Sequence, residues 1–309
     1  MKLTPSMLTV ALISSMSVVS YAAEVDIYGK ANLTVQSSDE GDGSFTEVKS
    51  NASRIGFKGT HELSDGLEVV FRAEFQVDLD GDSGKGDSIT DRNQYIGLRG
   101  AFGEVLLGKN DTMLKQSQGK VDLFSDLNAD IKSLWNGENR MADTISYKSP
   151  SFSGFQLGVT YVAEDSVDGE DASSIALFYG DAKLKKSKVF ASIAHDADMK
   201  GYDATRATVQ TKLAGVTLGA ILHTQESVTT GAEMDGYLVS AKYSLSKNVS
   251  LKGQYQAANH DGGDDKSGIT VGLDYKLAKS TKLFGFYTSF DMDTDSDEDY
   301  LAAGIEYKF

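Results

Sequence analysis

The sequence of 309 residues contains no cysteine and only two prolines. The lack of cysteine excludes disulfide bridges, thiolate metal sites and a cysteine nucleophile. Only Pro150 lies beyond residue 22, and such scarcity is typical of a chain with many paired strands, because proline removes hydrogen bonds from a sheet. After residue 22 the sequence also lacks any run approaching the roughly 18 apolar residues that a transmembrane helix needs.

The sequence also lacks the motifs of catalysis, metal binding and nucleic-acid binding. It has no nucleophile elbow and no phosphate-binding loop, and its four histidines are too scattered for a local metal site. The run Asp78-x-Asp80-x-Asp82 begins like a calcium loop, but Ile89 stands where the final glutamate belongs. A net charge of −15 without a basic block disfavours a nucleic-acid partner. We therefore predict no enzyme activity, no catalytic residue, no cofactor and no specific metal site, while weak divalent binding by acidic loops stays open.

The first residues have the features of an export signal. Lys2 precedes an apolar run from Met7 to Val19, and Ser20-Tyr21-Ala22 fits the small-x-small pattern before a cleavage site. We therefore divide the chain into a signal peptide, residues 1–22, and one mature domain, residues 23–309. The apolar run is too short to span a bilayer as a helix. We expect the protein to be exported.

The last nine residues alternate between apolar side chains and polar or small ones. One parity is apolar and ends in two aromatic residues: Leu301, Ala303, Ile305, Tyr307 and Phe309. The other parity contains Ala302, Gly304, Glu306 and Lys308. Since successive side chains of a strand point to opposite faces, one face of this strand is apolar and the other is not. The pattern is typical of a strand between lipid and water.

Similar alternating runs recur along the chain, separated in turn by short turns and by longer acidic loops. We predict sixteen strands, at residues 25–35, 51–62, 67–77, 91–99, 104–110, 140–149, 155–163, 173–184, 188–195, 202–213, 216–225, 236–245, 249–259, 267–277, 281–291 and 299–309. Most have the length of a tilted membrane strand, about 9 to 11 residues. An even number suits antiparallel closure, with the short turns facing the periplasm and the long loops facing outside.

The predicted fold is therefore all-β, a 16-stranded antiparallel transmembrane β-barrel. Barrels of about eight strands are filled by side chains, whereas one of this size encloses a water-filled channel. A secreted β-sandwich is the alternative, because it also combines alternation with frequent turns.

Five short motifs follow one another in the first half of the chain. They are Val25–Lys30, Ser53–Gly59, Arg92–Gly100, Ile145–Pro150 and Phe152–Phe155. Together with the aromatic end of the sequence, they resemble the general trimeric porins of Gram-negative outer membranes, which the second half matches mainly through its rhythm of strands and turns. The resemblance implies a homotrimer in the outer membrane, in contact with its lipids and with lipopolysaccharide, that passes small hydrophilic solutes and ions.

The stretch from Asn110 to Asn139 shows no clear strand alternation, and loops of this length are uncommon in a compact domain unless they have a function. In the porin family the corresponding loop, the third, folds inward and narrows the channel. The stretch contains four aspartates and the only tryptophan: Asp111, Asp122, Asp126, Asp130 and Trp135. The resemblance implies that the constriction is lined by Asp122 and Asp126.

Parity predicts basic side chains on the opposite wall. If the apolar residues of each strand face lipid, Lys30, Arg54 and Arg72 face the interior. On the strand after the loop, an outward Met141 places Arg140 inside in the same way. A wall of this kind would put fixed cations opposite the acids of the loop.

Arg92 is assigned to the interior by resemblance alone, because it shares its parity with Ile96 and Leu98, which we expect to face lipid. In the porin family the basic wall corresponds to four positions here, Lys30, Arg54, Arg92 and Arg140, and parity adds Arg72. Fixed cations that face fixed anions across a narrow aqueous gap create a transverse field, which orients dipolar solutes. The alternative is that these cations only pair with Glu68 or Glu74 for structural reasons.

The sequence therefore indicates an outer-membrane channel for passive, largely non-specific diffusion. A substrate-selective porin is one alternative, although no aromatic track is evident in the sequence. A surface adhesin or receptor barrel is another, although the outer loops leave little room for a folded binding module. Because the chain is acidic overall, we expect a weak preference for cations.

Overall fold

The computed structural model describes residues 24–81, 87–164, 171–263, 265–293 and 296–309. The predicted signal peptide, residues 1–22, lies outside these ranges, as does Asp82 of the acidic run. The strands are β1 (Glu24–Asp39), β2 (Ser44–Ser50), β3 (Arg54–Ser64), β4 (Leu67–Val77), β5 (Ile89–Gly100), β6 (Gly103–Asp111), β7 (Arg140–Lys148), β8 (Phe155–Val162), β9 (Ala172–Gly180), β10 (Val189–Ala197), β11 (Tyr202–Leu213), β12 (Val216–Ser227), β13 (Glu233–Ser244), β14 (Val249–His260), β15 (Lys266–Lys276), β16 (Thr281–Asp291) and β17 (Glu298–Lys308). A short helix, α1 (Met113–Ser117), and a 3-10 helix (Ile131–Ser133) lie between β6 and β7. Within the described ranges, no helix is long and apolar enough to cross a bilayer.

The strands form one antiparallel sheet whose last strand pairs with its first. Strands that follow one another along the chain are paired, apart from β2 and β3, and β17 pairs with residues 30–39 of β1. β2 pairs with the second half of β1 and β3 with its first half, so the two form a single barrel strand interrupted at residues 51–53. The seventeen described segments therefore build the predicted closed barrel of sixteen strands. Closure leaves no strand edge with unpaired backbone groups in the membrane.

The first hairpin extends further than the sequence suggested. β1 continues to Asp39, and β2 occupies Ser44–Ser50, where we expected a connecting loop. The polar side chains of this extension are satisfied inside the barrel, since Gln36 Nε2 and Ser38 Oγ donate to Glu47 Oε1 at 2.9 and 2.7 Å. Apolar alternation marks only the part of a strand that contacts lipid, and it therefore missed this polar part.

Along the strands, the apolar side chains point outward. On β1, Val35 is 57% exposed, whereas its neighbours Thr34 and Gln36 are each 1% exposed. On β17, Leu301 and Ile305 are 61% and 44% exposed. Apolar surface costs about 25 cal/mol per Å² in water, so a continuous belt of it is stable only against lipid or another chain. The two-faced strand pattern is thus confirmed.

The inner wall differs between the two halves of the barrel. On β1–β7 most buried inward side chains are polar, whereas on β9–β17 many are apolar and pack against residues 112–139, which we call the inserted segment. Three clusters join this segment to the wall: Met113 and Leu114 with Phe178 and Phe190, then Val121, Ile131 and Trp135 with Ile221 and Leu238, then Phe124 and Ala129 with Phe284, Phe286 and Phe290. The inserted segment therefore covers one half of the inner wall and leaves the polar half open.

Glycines on the wall make room for the inserted segment. A Cβ atom at Gly219 would lie 2.7 Å from the side chain of Val121, and one at Gly236 would lie 2.6 Å from the indole of Trp135. The indole is also fixed by its Nε1, which donates to the carbonyl of Ala257 at 2.9 Å. Close contact at these glycines determines how deeply the segment sits.

We expect Gly236→Val to displace Trp135 from the wall, because overpacking of this kind costs about 1–3 kcal/mol. Trp135 is the only tryptophan and is 3% exposed, so its emission reports on the position of the inserted segment. The variant should show emission at longer wavelength and stronger quenching by acrylamide, with unchanged far-UV circular dichroism.

Gly253→Val is the matched control, because the nearest atom to a Cβ there is 3.9 Å away. Its emission should equal that of the wild type. Unchanged emission in Gly236→Val as well would show that this glycine does not determine the position of the segment.

Candidate functional site

A cavity of about 700 Å³ lies between the inserted segment and the polar half of the wall. Arg54, Arg92 and Arg140 line it from the wall, and Asp126 lines it from the inserted segment. Tyr300, near the long-loop end of the barrel, also borders it. We call this space the outer cavity. Four of the seven side chains singled out from the sequence thus border one space.

Asp126 joins the inserted segment to the basic wall. Its Oδ2 accepts hydrogen bonds from Lys30 Nζ at 2.7 Å and from Arg54 Nη2 at 2.6 Å. The backbone of Asp126 has a φ of 70°, which is uncommon for a residue other than glycine, and its N–H donates to Asp130 Oδ2 at 2.7 Å. Burial opposes ionisation, but the two cations outweigh it and hold the pKa of Asp126 below its usual range. The carboxylate is therefore a fixed anion of the site.

Arg92 faces the interior because β5 contains a bulge. Ala73 of β4 pairs with Gln94, but Phe75 pairs with Asp91, so β5 has one extra residue between these two pairs. One extra residue reverses the face to which the following side chains point. Arg92 shares its parity with the outward residues Ile96 and Leu98, but parity does not predict a common face across the bulge.

Glu74 is the counterion of this part of the wall. Its Oε1 accepts a hydrogen bond from Arg92 Nε at 2.7 Å and lies 3.7 Å from Arg54 Nη1. Its Oε2 accepts from the hydroxyl of Tyr28 at 2.8 Å. From the sequence, Glu74 is only an alternative, purely structural partner of the basic residues. The structure adds it as the group that orients two of the wall arginines.

A second bulge, between Met141 and Thr144, affects the start of β7. Met141 packs against an apolar cluster on the inner side of β8 and β9, so the prediction that it faces lipid is wrong. Arg140, at the first position of β7, nevertheless reaches the outer cavity. Its Nη2 lies 2.9 Å from Asp111 Oδ1, and its Nε donates to Asn93 Oδ1 at 2.8 Å.

Arg72 lies apart from the other arginines. Arg72, on β4, pairs with Lys58 of β3. Lys58 lies four residues after Arg54 along β3 and is therefore nearer to the short-turn end of the barrel. The guanidinium group of Arg72 lies over the rings of Tyr28 and Tyr95, at 5.8 and 5.7 Å from their centroids. It borders two smaller cavities, of about 240 and 300 Å³, and not the outer cavity. The structure therefore places Arg72 in a second layer below the site.

Asp122 also lies apart, because it serves the backbone of the inserted segment. Its two carboxylate oxygens accept hydrogen bonds from the N–H groups of Phe124 and Ile131, at 2.9 and 3.2 Å. The side chain does not border the outer cavity. Burial, and then the neighbouring Asp130, raise the pKa of Asp122. Its sequence context is like that of Asp126, and no sequence signal separates the two.

A buried ion pair holds the end of the inserted segment to β11. Arg206 is fully buried, and its Nη1 lies 2.6 Å from Glu138 Oε1. Burial raises the pKa of Glu138, while Arg206 opposes this effect. Nearby, the rings of Trp135 and His223 stack at 5.2 Å. Arg206 was not predicted from the sequence, where inward parity was the only available signal.

Below the inserted segment lies a second cavity, of about 920 Å³, which we call the inner cavity. It is bordered by residues 181–183, 185 and 186 of the short turn between β9 and β10. The outer and inner cavities share four lining residues, Asp111, Lys115, Gln118 and Lys120. The two spaces therefore meet at this edge of the inserted segment. Among the described side chains, no group of three or more potential metal ligands is arranged to hold an ion.

Comparison with known protein families gives a match to the Gram-negative porin family over residues 8–295. A major outer membrane protein P.IB from Neisseria sicca is 33% identical over 167 residues, which cover 50% of this chain and 46% of the relative. A protein of the same name from Neisseria lactamica is 30% identical over 206 residues, covering 62% and 58%. The chain spans about half the length of most curated relatives that it matches.

Solved structures share the fold at low sequence identity. An anion-selective porin from Comamonas acidovorans matches with a TM-score of 0.73 and 18% identity, covering 93% of this chain and all of that one. OmpF from Salmonella typhi, solved in complex with daunomycin, matches with a TM-score of 0.76 and 18% identity, covering 93% and 98%. The family match over most of the sequence, together with the closed barrel, shows that the chain belongs to the Gram-negative porin family and resides in the outer membrane.

Proposed function

We propose that this protein is a channel through which small hydrophilic solutes and ions diffuse passively across the outer membrane. The observation that carries the proposal is the pair of cavities, about 700 and 920 Å³, which meet at the edge of the inserted segment. One is bordered by residues near the long-loop end and the other by residues of a short turn. Such an arrangement offers a polar route past the segment, as diffusion through a barrel requires.

In this proposal, the inserted segment is the constriction loop. Its fixed anion is Asp126, and the fixed cations opposite are Lys30, Arg54, Arg92 and Arg140. We leave Asp122 out of the constriction because its carboxylate is engaged with backbone N–H groups. Arg72 would contribute as a second layer toward the periplasm. Cations and anions fixed on facing surfaces favour dipolar solutes over apolar ones.

The charges of the two cavities favour anions over cations. Seven basic and five acidic side chains border the outer cavity. Six basic and two acidic side chains border the inner cavity. We therefore propose a weak anion preference, opposite to the expectation from the net charge of −15. The excess acid lies elsewhere, and salt screens exposed charges beyond about 8 Å.

The structure offers less support for the two alternatives. Among the described residues, the two aromatic rings that border the inner cavity, Phe178 and Phe190, are 8% and 3% exposed, so they offer little aromatic surface to a selective substrate. A receptor barrel would not require two cavities that meet. We also propose a homotrimer, since the exposed apolar belt can be covered by neighbouring subunits as well as by lipid. Contact with lipopolysaccharide remains a prediction.

In planar bilayers we expect the purified protein to produce large stepwise conductances, because the route through the barrel is polar and open. Steps that occur in groups of three would support the trimer. Well-folded protein, verified by heat-modifiable migration on a detergent gel, that conducts no current would refute the channel.

We expect the reversal potential in a KCl gradient to have the sign of an anion-preferring channel, because basic side chains outnumber acidic ones around both cavities. K⁺ and Cl⁻ have similar mobilities in water, so the measurement reports the fixed charge of the pore. A reversal potential of the opposite sign would restore the expectation from net charge.

We expect Asp126→Asn to increase the anion preference, because it removes the anion that neutralises Lys30 and Arg54. A unit charge about 4 Å from a permeating ion is worth about 1 kcal/mol in water, so the permeability ratio should change by up to about fivefold. The measurement is again the reversal potential.

Asp42→Asn is the control, since it removes a carboxylate at an exposed loop position that borders neither the outer cavity nor the inner cavity. Asp122 does not serve as a control, because burial raises its pKa to about 8, which leaves it largely protonated at neutral pH. Asp42→Asn should leave the permeability ratio close to that of the wild type. Equal shifts in both variants would show that the ratio depends on total charge and not on the position of Asp126.

A further inference from the structure

The inner cavity is strongly basic although the chain as a whole is acidic. Six lysines border it from three parts of the structure: Lys115 and Lys120 of the inserted segment, Lys148 at the end of β7, and Lys183, Lys185 and Lys186 of the turn between β9 and β10. Only two acidic side chains border the same space, Asp111 and Asp181. The local charge is therefore opposite in sign to the net charge of −15.

Most of these lysines lack a counterion in the part of the chain that the structure describes. Lys115 is the exception, with its Nζ 3.5 Å from Asp111 Oδ1. No described carboxylate lies within 4.0 Å of the ammonium groups of the other five lysines. Lys148 has an aromatic neighbour instead, since its Nζ lies 5.2 Å from the centroid of the Phe178 ring. The arginines of the outer cavity differ, because Arg54, for example, pairs with two carboxylates.

Asp181 forms no ion pair with the described lysine side chains of the turn, because its carboxylate binds the backbone of that turn instead. Oδ1 accepts a hydrogen bond from the N–H of Lys183 at 2.9 Å, and Oδ2 accepts from the N–H groups of Lys185 and Lys186 at 3.0 and 3.2 Å. These bonds, the one from Lys183 first, lower the pKa of Asp181. They also fix the shape of the turn, so that its lysines are presented from a defined backbone.

The inserted segment faces the same turn with a cation of its own. The carbonyl of Lys120 accepts a hydrogen bond from Gln210 Nε2 at 3.1 Å, which holds this part of the segment against the wall. The enclosed position of Lys120, and then the cation of Lys183, lower its pKa. Cations from two separate elements therefore approach each other across the cavity.

We propose that the inner cavity is a subsite for small multivalent anions, meaning solutes with two or more phosphate or carboxylate groups. The proposal rests on the proposed channel function, since such solutes must enter the barrel. Lysine ammonium groups act as point charges and accept either kind of acid group. Each additional anionic group engages a further lysine, so multivalent anions bind more tightly than monovalent ones. Because the turn lysines are exposed, binding is weak enough for release.

The test measures channel current with pyrophosphate, citrate or acetate added at equal ionic strength. Pyrophosphate and citrate should reduce the chloride current of the wild type at millimolar concentration, whereas acetate should not. In the triple variant Lys183→Gln, Lys185→Gln, Lys186→Gln, the concentration for half block should rise about tenfold, since each exposed ion pair contributes only up to about 1 kcal/mol.

The matched control is the triple variant Lys247→Gln, Lys276→Gln, Lys279→Gln. It removes the same number of lysines from two other short turns and from the adjoining end of β15, around a separate cavity of about 300 Å³. It should keep the half-block concentration of the wild type. An equal rise in both variants would overturn the subsite in favour of general electrostatics at this end of the barrel.

The remaining outcomes separate the subsite from the channel. Current without block by any multivalent anion overturns the subsite and leaves the channel intact. Block by pyrophosphate alone, or by citrate alone, supports the subsite and narrows the ligand to phosphates or to carboxylates.

If no variant conducts, the channel fails, and calorimetric titration of the detergent-folded protein with pyrophosphate and with citrate tests the subsite by itself. The subsite is supported if the wild type gives heat of binding with either anion and the triple variant of Lys183, Lys185 and Lys186 does not. It is overturned if the wild type gives no heat of binding with either anion.

Discussion

Burial of apolar side chains between the inserted segment and one half of the inner wall determines where every other part of the lumen lies. Phe124 and Trp135 are 1% and 3% exposed, and burying one large apolar side chain stabilises a structure by about 1.5–3 kcal/mol. The buried side chains of the segment in three such clusters together contribute more stabilising free energy than one surface ion pair, which contributes up to about 1 kcal/mol. The apolar contacts therefore hold the segment, and the ion pairs of Asp126 orient its free edge.

The position of the inserted segment explains why the arginines of the outer cavity have counterions, whereas most lysines of the inner cavity have none among the described residues. Arg54 and Arg92 stand opposite the free edge of the segment, where Asp126 accepts a short hydrogen bond from the first and Glu74 from the second. A guanidinium group suits this role because it is planar and can bond two carboxylates at once. The lysines of the inner cavity lie on the segment and around the space below it, where few carboxylates are available. In the proposed channel, the first set would give the lumen a fixed field, and the second would leave uncompensated charge for solutes.

The sequence predicted the barrel well because strand alternation reflects a physical requirement of each strand in lipid. It predicted the inward orientation of Lys30 and Arg54 for the same reason, since parity holds along an unbroken strand. Parity failed for Met141 and was ambiguous for Arg92, because a bulge shifts the face of every residue beyond it and leaves no clear mark in the sequence. The polar extension of the first hairpin was missed because it lies where alternation carries no apolar signal.

Within the inserted segment, sequence had no means of telling Asp122 from Asp126. Both are aspartates on one irregular stretch, four positions apart, and the structure gives them opposite tasks. Asp122 accepts hydrogen bonds from two backbone N–H groups, and burial and the neighbouring Asp130 raise its pKa. Asp126 contacts two cations, which lower its pKa. The difference depends on which side of the segment faces the apolar half of the wall. The orientation of the segment is determined by contacts with strands far along the chain, such as Phe124 with Phe286 and Trp135 with Ala257. A local sequence pattern does not record such contacts.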